Sequence, residues 1–322
     1  MTGRTSKVVV IGGTYIDMAI RCASIPAQGQ SVQGSALSFS PAGPGPNQAL
    51  EAALCGCDVH LISKIGGDPL GKLVIKSLHE LKVNTEFVHV AEAKNTGMYV
   101  TLVNAKGGNA ACIYTGANTA LTPQDIEAAD SIIREADVCL IDGNLPQEAV
   151  VAAIRLAKVH GIKVILDPAK PLGQPGITSD QLPIEYFSVD ILIPNLEEAA
   201  YLAEQPDVNL RNVKLIGSDL VARGAKAAVI TMGKRGSMIV DRENADHIPA
   251  FNIETVDQTG RGDAFAGALA AYCSVKDDLR EAVKFASAAG ALACTKLGSF
   301  EAMPKKNDII QMLQKEDMDI EY

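Results

Sequence analysis

The chain has 322 residues, 47% of them hydrophobic and 21% charged, and its 29 Lys plus Arg against 38 Asp plus Glu give a formal charge of −9. That composition fits a globular chain with a sizeable core and excludes a disordered or collagen-like one. The acidic balance argues against nucleic acid or an anionic membrane surface as a partner, and at roughly 150 residues per domain the length allows two domains or one large α/β unit.

In chain order, residues 7–12 form a short apolar strand. Residues 32–39, 97–104 and 109–115 are strand-like, punctuated by glycine and joined by turns such as Lys106-Gly107-Gly108, which predicts a small antiparallel flap. From about residue 120 onward, β-branched runs alternate with helical patterns. Strands are expected at residues 138–142, 163–167, 191–194 and 227–232, and covering helices with i, i+3, i+4 apolar spacing at 147–160, 196–204 and 218–224. Such alternation is the signature of βαβ units and a parallel sheet. The acidic tail, residues 315–322, is expected to fray.

No apolar run approaches the roughly 20 residues of a membrane span. The N-terminal stretch lacks the apolar region and cleavage site of a secretory signal, so a cytoplasmic location is expected. Seven cysteines (Cys22, Cys55, Cys57, Cys112, Cys139, Cys273 and Cys294) lie mostly in apolar segments without a C-x-x-C pair, and read as reduced core thiols.

The segment Asp257-Gln258-Thr259-Gly260-Arg261-Gly262-Asp263-Ala264 carries the most chemistry. Glycines at a helix start let backbone N–H groups converge on an anion, and the helix dipole favours a phosphate there. Asp263, in the first turn, is placed to take the proton of an attacking hydroxyl; the alternative is that it only caps the helix. Two other glycine-rich stretches fail as nucleotide motifs. Gly66 to Lys72 fits G-x-x-x-x-G-K but continues with Leu73 and lacks the metal-binding hydroxyl, and Gly43-Pro44-Gly45-Pro46-Asn47-Gln48 ends in Gln where a dinucleotide fingerprint needs Gly.

Seven stretches stand in order along the chain: Gly12 to Asp17, Ala42-Gly43-Pro44-Gly45-Pro46-Asn47-Gln48-Ala49, Ile65 to Gly71, Gly116-Ala117-Asn118, Asn195-Leu196-Glu197-Glu198, Thr231 to Gly236, and Asp257 to Asp263. Together they resemble the ribokinase-like (PfkB) carbohydrate and nucleoside kinases, reading closest to ribokinase. The resemblance covers nearly the whole chain. It implies a single domain over residues 1–322, a three-layer α/β sandwich around a mostly parallel sheet, with a small β lid from strands within about 13–45 and 95–116.

The activity so implied is transfer of the γ-phosphoryl of ATP to a primary hydroxyl of a furanose-like sugar. A nucleoside or pseudouridine kinase is the alternative, and a non-catalytic sugar or nucleotide sensor a more distant one. Carried over by position, Asp263 is the base, and Gly260, Arg261 and Gly262 form the anion hole. Arg261 stands where the family usually has Ala; its guanidinium either adds charge near the γ-phosphate or points to solvent. Asn195 and Glu198 match N-x-x-E, Glu198 for Mg²⁺ and Asn195 for the phosphates, with an ordinary helix start as the alternative. Thr231, Gly233, Gly236 and Ser287 are placed around the nucleotide. A K⁺ site is implied from Asp257 and carbonyls near Thr259, Ala293, Lys296 and Gly298.

On the acceptor side stand Asp17, Gly43, Asn47 and Asn144, with a plain turn as the alternative for Asp17. Pro44 replaces the family's Lys, and Asn144 stands where ribokinases carry Glu, unless it merely caps the next helix. A homodimer through the lid is expected, with neither nucleic acid nor membrane as a partner.

Overall fold

The computed structural model describes residues 4–169, 176–205 and 208–316. Ten strands form the larger sheet: β1 (Lys7–Ile11), β4 (Asp58–Gly66), β5 (Val83–Asn84), β6 (Val88–Ala91), β9 (Val138–Asp142), β10 (Lys163–Asp167), β11 (Ile191–Leu192), β12 (Ala227–Thr231), β13 (Ser237–Asp241) and β14 (Ala245–Ile248). Their order is β14-β13-β12-β11-β10-β9-β1-β4-β5, with β6 also paired to β4. All pairings from β12 to β5 are parallel, and only the β12–β13 and β13–β14 pairings at one edge are antiparallel.

Strand periodicity decides what each face buries, because successive side chains point to opposite sides. Val8 and Val10 of β1 join one core with Val138, Leu140 and Ile165, while Val9 and Ile11 join the other with Cys139, Ile141, Val164 and Leu166. Helices α1 (Pro44–Leu54), α8 (Arg261–Cys273) and α9 (Leu279–Ala293) cover the first face; α5 (Gln147–Val159) covers the second, with α3 (Pro123–Glu127) and α4 (Asp130–Arg134). The result is the expected three-layer α/β sandwich. The remaining helices are α2 (Pro69–Glu80), α6 (Leu196–Leu202), α7 (Val213–Ala222) and α10 (Lys306–Lys315). Residues 317–322 of the expected tail lie outside the described residues, and Lys315 ends α10.

A second sheet has the order β3-β2-β7-β8, from β2 (Tyr15–Cys22), β3 (Gly34–Ala42), β7 (Gly97–Asn104) and β8 (Asn109–Tyr114). The expected antiparallel flap is corrected here: β2 and β7 pair in parallel, flanked by two antiparallel pairings. Only a strand between residues 15 and 22 makes this possible, and it places Asp17 inside β2, opposite Ser40 and Tyr99, rather than in a turn. Six of the seven cysteines are buried, and Cys112 on β8 is exposed.

Candidate active site

The carboxyl ends of parallel strands are where open α/β sheets receive ligands. Asp142 and Asp167 are the last residues of β9 and β10, and Glu198 lies in the first turn of α6, next along the sheet. A cleft of about 480 Å³ opens over them, walled on the lid side by Tyr15, Tyr99, Ile113 and Pro44 and at its end by Asn144.

Asp263 sits at the third position of α8. The cap itself is Gly260, in the left-handed region at φ 76°, where an added Cβ would lie 2.8 Å from Cβ of Ser299. Asp263 therefore does not cap the helix. Its half-buried carboxylate turns to α1 instead, where Asn47 Nδ2 donates to Oδ2 at 2.7 Å and Gln48 Nε2 donates to Oδ1 at 3.3 Å. The same Gln48 amine donates to Asp167 Oδ2 at 2.8 Å, so one amide spans two carboxylates. Burial raises Asp263 to about 6 against the lowering effect of the two amides.

Asp142 is also pushed up to about 6, chiefly by burial, although the Gly13 and Asn144 N–H groups donate to it at 3.0 and 2.7 Å. Burial and the nearby charges of Glu198, Asp263 and Asp142 push Asp167 well above the usual range, and burial raises Glu198. Burial is the first cause in all four, and the charge of a neighbouring carboxylate adds to it for Asp142, Asp167 and Glu198.

Asn195 and Glu198 form a reciprocal cap. Asn195 Oδ1 accepts from the Glu197 and Glu198 N–H groups at 2.9 and 3.0 Å, and Glu198 Oε2 accepts from the Asn195 N–H at 2.8 Å. The N-x-x-E spacing is a helix start as well as a candidate phosphate and metal site. An isolated bridge joins Asn195 to Thr231, whose strand leads into a tight turn from Gly233 to Gly236. Ser287, on α9, has a buried hydroxyl with no hydrogen-bond partner.

Among the described residues no group of three or more His, Cys, Asp or Glu side chains could alone hold a metal ion. Magnesium that arrives on a nucleotide keeps phosphate and water ligands and needs only one or two carboxylates. Glu198 fits that demand.

Of the positions expected around K⁺, Thr259 and Gly298 are hydrogen-bonded to Asp257. Asp257 Oδ1 accepts from the Thr259 N–H and hydroxyl at 3.0 and 2.7 Å, and Oδ2 accepts from the Gly298 N–H at 3.0 Å. The Asp257 N–H donates to the Cys294 carbonyl, and the Lys296 N–H to that of Ala293. Burial works against the Asp257 charge, yet these donors hold it below the usual carboxylate range.

On the acceptor side, cross-strand pairing puts Asp17, Tyr99 and Ile113 on one face of the lid, the face that lines the cleft. Thr101 donates to Asp17 at 2.7 Å, and burial raises the Asp17 carboxyl. Gly43 caps α1 at φ 91° beside Tyr15. Asn144 lies two residues before Pro146, which is the N-cap of α5 and makes no side-chain cap, so the expected alternative of Asn144 as that cap is corrected.

Sequence reasoning passed over Gln48, Asp142, Asp167, Tyr15 and Tyr99. The carboxylates had a signal, an acidic residue closing an apolar parallel strand. Tyr15 lies within the Gly12 to Asp17 stretch without being singled out by it, and Tyr99, whose ring is 4.7 Å away, comes from a segment that carries no motif.

Residues 5–306 match the family described as pfkB family carbohydrate kinase. A ribokinase of Staphylococcus aureus (strain COL) is 30% identical over 313 residues, 96% of this chain and 100% of its own length. A deoxyribokinase of Salmonella typhi is 30% identical over 298 residues, 92% of this chain and 95% of its own length. The solved structure of an Arabidopsis thaliana ribokinase complexed with ribose and ATP shares the fold, with a TM-score of 0.85 at 24% identity over 97% of this chain and 99% of that one. The chain belongs to the pfkB family of carbohydrate kinases, as an ATP-dependent, ribokinase-like kinase of a sugar or nucleoside.

Proposed function

We propose that the protein moves the γ-phosphoryl of ATP to a primary hydroxyl of a furanose-like sugar, with Asp263 as general base. The observation that carries this reading is the Asp263 carboxylate at the start of α8, gripped by two amides of α1, one of which also donates to Asp167 on the wall of the cleft. The acceptor hydroxyl gives its proton to Asp263 while its oxygen attacks phosphorus. The backbone of Gly260, Arg261 and Gly262 cradles the transferred group at the positive end of the helix. An ideal Cβ on Gly262 would meet no atom within 4 Å, so the flank of this first turn is open.

Asp17, Gly43, Asn47 and Asn144 hold the acceptor. Asn195, Thr231, Gly233, Gly236 and Ser287 surround the nucleotide. Mg²⁺, held by Glu198 on the nucleotide, would supply charge neutralisation between the phosphates, and K⁺, held by Asp257 and the carbonyls near Thr259, Ala293, Lys296 and Gly298, would brace the anion hole.

A nucleoside acceptor is the second reading, favoured by the Tyr15–Tyr99 pair and Ile113, which give the cleft an aromatic and apolar wall. The lid also supports pairing of two chains. Its face opposite the cleft aligns Met18, Ile20, Leu37, Phe39, Val100 and Leu102, with Leu37 58% and Phe39 44% exposed, an unpartnered apolar stripe of the kind a second copy covers.

ADP release measured with ribose, deoxyribose, hexoses and a nucleoside panel tests the activity. Turnover with a furanose or nucleoside supports it; absence of turnover with all of them removes it.

A further inference from the structure

Arg261 and Asp263 are two residues apart in the first turn of α8, and at about 100° per residue such neighbours project to opposite sides of a helix. Asp263 faces α1. Arg261 faces the turn after β12: an ideal Cβ on Gly233 would lie 3.4 Å from Arg261 Nη1 and 3.8 Å from Nη2. The stem of the side chain is seated as well, since an ideal Cβ on Gly290 of α9 would lie 3.4 Å from Arg261 Cγ and 3.2 Å from its carbonyl oxygen.

A glycine inside a helix costs about 1 kcal/mol against alanine, and Gly233 adopts φ 61°, a conformation other residues resist. Both therefore leave room for one half-buried arginine, which is held in place rather than waving in solvent. No carboxylate pairs with its guanidinium among the described residues. A positioned cation without a counter-charge, between the anion hole and the Gly233 to Gly236 turn, calls for an anionic ligand.

We propose that Arg261 clamps the leaving diphosphate of the nucleotide, on the donor side of the phosphoryl group whose acceptor side is served by Asp263. This rests on the reading of the site given above. In the transfer, the acceptor oxygen bonds to the γ-phosphorus and its proton passes to Asp263. The bond from that phosphorus to the β–γ bridging oxygen breaks, and its electron pair stays on the departing ADP. The negative charge gained by ADP is what a guanidinium fork matches in two hydrogen bonds. The transferred group keeps the backbone N–H groups of the helix start.

The test compares wild type with Arg261→Ala and Arg261→Lys, measuring calorimetric affinity for ATP, ADP, AMP and adenosine alongside kcat. Alanine is a good first-turn residue that gives up only the stem's packing beside Gly290, and thermal melts check that each variant folds. Loss of a charge-assisted pair corresponds to about a 10- to 100-fold weakening. Arg261→Ala is expected to weaken ADP and ATP by that factor and to lower kcat, with adenosine and AMP bound within about twofold of wild type, and Lys is expected to fall between. ADP affinity unchanged in Arg261→Ala, or an equal loss for adenosine, overturns the clamp. If wild type phosphorylates an acceptor and binds ADP while the Ala variant matches it, the clamp alone fails. If wild type neither binds ADP nor turns over, the reading of the site fails with it.

Discussion

Asp257 and Asp263 lie six residues apart on either side of one helix start, and their surroundings drive them in opposite directions. Asp257 receives backbone and hydroxyl donors from Thr259 and Gly298, ties two loops together and is held acidic. Asp263 is desolvated, receives only two side-chain amides and is raised to about 6. Hydrogen bonds from main-chain N–H groups stabilise a permanent charge, whereas burial beside acceptor space leaves a charge that protonation can cancel. The first arrangement suits a brace. The second suits a base.

The largest expected effect that tests this contrast is in the base. Asp263→Asn should lower kcat by about 10² to 10⁴ while leaving ATP affinity nearly intact, because the carboxylate is needed only when the hydroxyl loses its proton. Retention of more than about a tenth of kcat would take the role away from Asp263. Asp257→Asn, by contrast, should show itself first as a lower melting temperature, since the brace loses a charged acceptor.

The pH dependence separates the two further. Asp263 must be ionised to act, so kcat/KM should fall about tenfold per unit as pH drops below its value of about 6. The effects on stability have opposite signs. Asp263, raised in the folded protein, binds its proton more readily there than in the unfolded chain, so its share of stability grows as pH falls toward its unfolded value near 4. Asp257, depressed on folding, contributes stability above its unfolded value and loses it as pH falls through the lower folded one. A melting curve against pH for each Asn variant reads both signs, and the same slope in both would dissolve the distinction.

On the acceptor side, Asn144→Glu should move the kcat/KM ratio toward free pentoses over nucleosides by roughly tenfold, because an amide can donate to a base carbonyl and a carboxylate repels it. An unchanged ratio across ribose and a nucleoside panel removes Asn144 from acceptor choice. The smallest effect should come from ions: Mg²⁺ is expected to be required, and rates should be higher in K⁺ than in Na⁺ or Tris. Equal rates in the three buffers would leave Asp257 as a brace without a cation.

Much of this architecture was legible beforehand where local chemistry and tertiary role agree. The strands at Val138–Asp142 and Lys163–Asp167 were expected with these bounds, since β-branched runs buried on both faces leave no other reading. β2 was not legible. Tyr15-Ile16-Asp17-Met18-Ala19-Ile20-Arg21-Cys22 does alternate, with Ile16, Met18, Ile20 and Cys22 on one face and Asp17, Ala19 and Arg21 on the other, but it follows β1 after only three residues, where a turn at Asp17 is the competing expectation. Helix α7 begins at Val213, five residues before the expected start, because its first turn packs through Val213 and Ile216 into a small cluster of its own.

In the site, Asp263, Asn47, Glu198 and Asp257 were found through motifs that dictate spacing. Asp142 and Asp167 were signalled only as acidic residues closing apolar strands, and that they meet Gln48 of α1 depends on which strand ends and helix faces converge, which no local pattern carries.

The exposed sulfur on β8 makes the lid its own reporter. Cys112 pairs in register with Val100, on the same side as Phe39, while the other six thiols are buried. A thiol reagent added to the native protein should therefore modify one site quickly, and unfolding should release the rest. If two lids meet over that stripe, the fast reaction slows as protein concentration rises, so a colorimetric thiol assay reads the association constant without an introduced label.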